Sequence, residues 1–263
     1  MSPTELLLLF IAGIAAGITG STAGLASLVS YPALLLVGLP PVTANVTNTI
    51  GLIGSSVGAV LGSRSELRTV PRAAFAVRVP LALVGGAIGA TVLLVSPPGS
   101  FARIVPFLVA LASVLLLLTP QIRRVALRRQ REALAKAGNG SPAAAGDGGF
   151  GVTAVVFVCC VYAGYFGAAA GVMILAILLI GTGRNLPVSN AVKNLLLGVA
   201  NGTAAVIFAF VADPYWPAVP PLLIGCLIGG YLGPAVVRRV PPDLWRWVVG
   251  LAGLGLAVRL WLG

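Results

Sequence analysis

Eight apolar runs, at residues 5–37, 42–63, 73–96, 101–119, 150–182, 187–211, 217–237 and 244–262, constrain this chain more than any other feature. Six of them are near the ~20 residues that carry a helix across a hydrocarbon core. Charged residues make up only 9% of the sequence, where a soluble domain has about a quarter. No single soluble core absorbs that much apolar surface, so lipid must solvate part of it. A segment in lipid has to satisfy its own backbone polar groups, which selects helices. The expected fold class is an all-α integral membrane protein, a polytopic bundle of about eight apolar segments, with the lipid bilayer as its first partner. The 34 glycines and 19 prolines suit such a bundle, where small residues let helices approach and breaks can line a cavity.

The net charge of +11 would suggest nucleic acid in a soluble protein. Here the basic residues sit mostly in loops between apolar runs, where the positive-inside rule explains them, and no nucleic-acid partner is expected. Histidine is absent, and Cys159, Cys160 and Cys226 all lie within apolar runs. They have no metal-ligand spacing and read as small packing residues rather than a disulfide framework. The first apolar run follows no basic n-region and continues into a repeated element, so no cleaved signal peptide is expected.

The chain repeats itself. Gly17, Gly20 and Gly24 of GITGSTAG match Gly164, Gly167 and Gly171 of GYFGAAAG. Leu39-Pro40 and Leu186-Pro187 then close the same long segment, and Asn45 and Asn190 follow. Gly54 and Gly58 pair with Gly198 and Gly202, and GGAIG at Gly85 pairs with GGYLG at Gly229. The first repeat covers 1–120 and the second 150–263. Between them, 121–149 reads as a basic cytoplasmic linker, helical at first and rich in Gly, Ala, Ser and Pro at its end. Arg64, Arg68 and Arg72 mark the loop after the second run as cytoplasmic. Its counterpart ADPYWPAVP carries no positive charge, and Arg238 and Arg239 charge the following loop instead. Opposite charging favours inverted repeats, each long first segment bending back at its glycine cluster. A parallel arrangement, each long segment crossing once, is the alternative.

Two sets of residues are candidates for chemistry. A break at the glycine clusters would expose backbone amides at membrane depth, and a half-helix N-terminus there carries partial positive charge suited to an anion. This nominates Gly20, Gly24, Gly167 and Gly171; the competing reading is a helix-packing groove. The second set opens the following helices: Asn45 and Asn48 in NVTNT, and Asn190, Lys193 and Asn194 in SNAVKN, each group sharing one helical face. Such polar groups must face the protein interior or a wet cavity. Lys193 lies seven residues into an apolar run with no carboxylate near in sequence, so a bound anion would suit it. Hydrogen bonding between helices is the alternative for the asparagines. Asn201 is a further cavity candidate, and Arg78 is expected to snorkel to the cytoplasmic surface. No Asp or Glu lies deep in a run, so the coupling ion cannot be named, and no nucleophile–base pair, metal set or nucleotide motif points to an enzyme or to a cofactor.

The paired glycine-cluster segments, the polar helix starts and the string GYFGAAAGVMILAILLIGTGRNLPVSNAVKNLLLGVANG resemble the sulfite exporter TauE/SafE family over about residues 6–262. STAGL stands where members often carry consecutive glycines. The resemblance implies a multi-pass plasma-membrane carrier, often outward-directed, of sulfite, sulfoacetate or another organosulfur anion. The small anionic substrate would then be held by Lys193, by Asn45, Asn48, Asn190 and Asn194, and by the glycine-cluster amides. One repeat would rock against the other. An anion channel and a non-transporting membrane scaffold are the alternatives, and a homo-oligomer is compatible with either.

Overall fold

The computed structural model describes residues 1–97, 99–136, 149–237 and 242–262, and these are all helix, turn or loop. The second part of the linker, 137–148, and Arg238 and Arg239 lie outside the described residues. The first long segment forms α1 (Pro3–Ala23) and α2 (Ser27–Leu36), and α3 (Pro41–Gly51) and α4 (Ile53–Gly62) follow. A short α5 (Arg64–Arg68) leads to α6 (Arg72–Val95) and α7 (Ser100–Lys136). The second half has α8 (Gly149–Tyr165), α9 (Ala170–Thr182), α10 (Leu186–Val211), a 3-10 turn at Trp216–Ala218, α11 (Val219–Val237) and α12 (Pro242–Leu262).

Local chemistry accounts for the helix starts. Ser2 and Glu5 cap α1 reciprocally, Glu5 accepting from the Ser2 amide at 2.8 Å. Proline occupies the first turn of α1, α3 and α10, where its missing N–H breaks no helical bond. Among the described residues six helical stretches are long and apolar enough to cross a membrane: Pro3–Ala23, Pro41–Gly62, Arg72–Val95, Ser100–Glu132, Leu186–Val211 and Trp216–Gly233. At about 1.5 Å per residue, α2 and α9, of 10 and 13 residues, are half-helices. Both long first segments are thus interrupted at their glycine clusters. α7 runs through residue 120 to Lys136, and Ala126 packs beneath Leu175 and Leu179 of α9, so the start of the linker is part of the bundle.

The two sequence halves do not form two separate bodies. α1 lies along α11 of the other half, and α11 also packs on α4; α8 lies along α6, and α6 also packs on α10. The close approaches are pseudo-symmetric. A Cβ on Gly17 would strike the backbone at Gly230, and one on Gly164 would strike Gly86. Gly17 and Gly164 are 147 positions apart and Gly86 and Gly230 are 144, the two offsets of the repeat. α7 and α12, themselves counterparts, pair with one another. Each half has therefore exchanged its third long helix with the other, because a glycine face on α1 and on α8 finds its matching glycine face only across the repeat boundary.

Candidate functional site

The interruption after α1 is made by Gly24, whose φ of 76° is the left-handed conformation that ends a helix, its N–H bonding to Gly20 O at 2.8 Å. Gly167 (φ 75°) and Ala169 (φ 67°) make the second, and the Tyr162 hydroxyl donates to Ala168 O at 2.8 Å to fasten the turn. Phe166, within that turn, meets Tyr31 of α2 and Phe101 of α7 edge-on, with ring centroids 5.3 and 5.7 Å apart. The two interruptions touch. A Cβ on Gly24 would strike the Gly171 backbone, and one on Gly171 would strike Gly24. The pseudo-symmetry mates therefore abut, which puts the N-terminal end of α9 against the end of α1.

Beside this contact lies a cavity of about 30 Å³, lined by Gly20, Gly24, Ala26, Ser27, Leu52, Ser55, Ser56, Ala59, Gly167, Asn194, Leu197 and Asn201. It holds roughly two waters at about 10–15 Å³ each. Both halves contribute, and its polar groups are hydroxyls and amides; no carboxylate is among them. Ala26 and Ser27 open α2, where the first N–H groups of a helix have no intrahelical acceptor and the dipole is positive.

Of the residues nominated from sequence, Gly20, Gly24, Gly167 and Asn194 line the cavity, as does Asn201. Gly171 backs Gly24. The other nominated polar residues, and Asn194 as well, hydrogen-bond to the protein. Lys193 is fully buried, and its ammonium donates to Gly20 O at 3.3 Å and Ser21 O at 3.4 Å. Asn190 and Asn194 donate to the same Ser21 O at 3.0 and 3.2 Å. Arg123 of α7 donates to Thr22 O at 2.6 Å. The last carbonyls of α1 are thus gathered by two cations and two amides, the polarity a helix C-terminus favours. The other half repeats the device in weaker form: Asn45, counterpart of Asn190, donates to Tyr165 O at the end of α8 at 2.9 Å. Asn48, counterpart of Lys193, donates to Ser27 Oγ at 3.3 Å.

These bonds tie the side chains of the expected cage to protein oxygens. The side-chain amides are engaged by protein oxygens, and the buried Oδ1 atoms left on Asn45, Asn48 and Asn190 are acceptors, which repel an anion. Lys193 finds its negative partner in a helix end. Arg78 does not snorkel to the surface: it is 2% exposed, in the wall of a cleft that Phe150 and Thr153 of α8 also line. Sequence reading missed Ser27 at the start of α2 and Ser55 and Ser56, which look like ordinary small packing residues of a GxxxG helix. It also missed Arg123, which the basic run assigned to a loop.

The sequence pattern of the family described as "Sulfite exporter TauE/SafE" matches residues 9–260. The chain is similar to the "Probable membrane transporter protein YfcA" of Escherichia coli (strain K12), 25% identical over 260 residues, covering 99% of this chain and 91% of that one. It is similarly related to a "Probable membrane transporter protein" of Haemophilus influenzae, 25% identical over 256 residues, covering 97% and 94%. No solved structure matches it. With a match that leaves out only the first eight and last three residues, the chain belongs to the sulfite exporter TauE/SafE family.

Proposed function

We propose that this protein is a secondary carrier that moves a small sulfur-containing anion, such as sulfite or an organosulfonate, out of the cell across the plasma membrane. The observation that carries the reading is the cavity between the two interrupted segments. It is lined by hydroxyls, amides and the N-terminal end of α2. Gly20, in its lining, accepts from the Lys193 ammonium. A site with helix-dipole and cationic charge, hydrogen-bond donors and no carboxylate favours an anion. The glycine that opens each interruption brings backbone close enough to line it. The family and the names of the relatives support transport as the activity.

The halves act as inverted repeats, supported by their oppositely charged loops. The rocking units are not residues 1–120 and 150–263. They are α1, α4 and α11 against α6, α8 and α10, the sets that pack most closely. Alternating access then opens the cavity first to one side and then to the other.

Thermal unfolding of the detergent-purified protein with sulfite, sulfoacetate, taurine, sulfate, thiosulfate and chloride tests the reading. A ligand of the folded state at a hundred times its Kd adds about 2.7 kcal/mol. One sulfur anion should raise the transition, and Asn201→Leu, which removes a cavity amide, should abolish the rise. No shift with any of the six anions would overturn the proposal.

A further inference from the structure

The end of α1 favours a cation, yet Arg123 already supplies one at Thr22 O, so the charge on Lys193 is more than that helix end needs. A lysine buried without a carboxylate is expensive at membrane depth, and an uncharged donor would satisfy two carbonyls without that expense. Its acceptors, Gly20 O and Ser21 O, belong to α1, while Lys193 belongs to α10. α1 packs in one of the two rocking units and α10 in the other, so this bond ties the units together. Its counterpart in the other half is the neutral Asn48, which makes a single hydrogen bond to a serine of its own half. The charge therefore appears on one side of the pseudo-symmetry only.

The surroundings narrow what that charge can answer to. Arg123 of α7 donates to the neighbouring Thr22 O and is the nearest cation along α1. Of the elements packed on α10, α3, α4 and α9 carry no titratable side chain. α6 contributes Arg72 and Arg78; α8 contributes Cys159, Cys160, Tyr162 and Tyr165. α5 brings Arg64, Glu66 and Arg68, and α1 has Glu5 at its opposite end. Neither glutamate is among the acceptors of the ammonium. Lys193 does not itself line the cavity, but two residues beside it do: Gly20, whose carbonyl it holds, and Asn194, its neighbour in sequence.

We propose that Lys193 carries the coupled proton, so that each anion crosses together with one H⁺. The inference rests on the carrier reading above and names the ion that crosses with the anion. With the anion bound, Lys193 is the ammonium, and the opposite charges favour one another. After the units rock and the anion leaves, the Nζ–H bond breaks, the proton passes to cavity water, and the amine that remains holds Gly20 O and Ser21 O more weakly. The empty carrier then returns, and Lys193 takes a proton from water on the first side. A monoanion and a proton move together, so the cycle is electroneutral.

The test uses the whole protein in liposomes holding the pH dye pyranine, with sulfite and with isethionate, whose single sulfonate charge does not titrate near neutrality. Wild type should move protons with the anion, in the same direction and at about one proton per anion, as an intramembrane proton relay does. In Lys193→Arg, which keeps charge and donors but holds its proton throughout, protons per anion should fall to near zero whatever the rate. A purely structural role predicts instead that Arg restores the wild-type ratio. Wild-type anion flux without proton movement would overturn this inference alone, even if neither variant folds. No anion flux at all would overturn the carrier reading and this one with it. Lys193→Gln, checked first for a wild-type thermal transition, gives a second uncoupled variant.

Discussion

A single carbonyl explains much of what the polar residues do. Ser21 O lies at the end of α1, beyond the reach of any later helical N–H, and it accepts from Asn190, Lys193 and Asn194. Tyr165 O at the end of α8 is served by Asn45 alone. Truncating that one donor leaves a buried carbonyl without its side-chain partner, and Asn45→Ala should destabilise the protein by about 1–2 kcal/mol. Reversible unfolding in mixed micelles measures it, and wild-type stability would show that water serves Tyr165 O equally well. The residue types and their shared face are legible in the sequence, since i, i+3 and i+4 positions fix which groups act together. Their acceptors are not, because Lys193 and Gly20 are 173 positions apart and helical periodicity says nothing about what a face meets.

At the scale of elements, glycine spacing indicates close packing but not which pairs of helices pack. Gly17 sits so close to α11 that a Cβ would meet the Cys226 carbonyl and the Gly230 backbone. Gly202, in an equally suggestive GxxxG, has nothing within 4 Å of its Cβ position. Gly17→Val should wedge α1 off α11 and destabilise by about 1–3 kcal/mol or more, the range for overpacking. Gly202→Ala should stay within about 0.5 kcal/mol of wild type, or gain slightly from better helix propensity. Equal losses in both, measured by the same unfolding transition, would mean that α1 and α11 can shift apart cheaply. The interruptions were legible because a segment of 33 residues with a glycine cluster exceeds what one crossing needs. The left-handed Ala169 was not, since nothing in GAAAG distinguishes it from its neighbours.

At the scale of the molecule, the repeat offsets identify equivalent segments and are silent on whether equivalents pair within a half or across it. The exchange of α6 and α11 between halves has a consequence for folding. α1 and α4 bury the faces carrying Gly13, Gly17, Gly54 and Gly58 against α11, and α8 buries Gly164 against Gly86 of α6, on which α10 also packs. A first half made alone would present those faces to lipid, with Gly13, Gly17, Gly54 and Gly58 forgoing the backbone contacts they are shaped for. The last carbonyls of α1 would also lose Lys193, Asn190 and Asn194. Severed between residues 136 and 149, the two pieces should therefore co-purify through a tag on either one when made together. The pair should show one cooperative transition, and each piece made alone should show none. A first piece that is monodisperse and unfolds cooperatively by itself would mean that the contacts within a half suffice. The rocking units would then revert to the two halves of the sequence, and the α1–α10 tie would become a contact between independently stable domains.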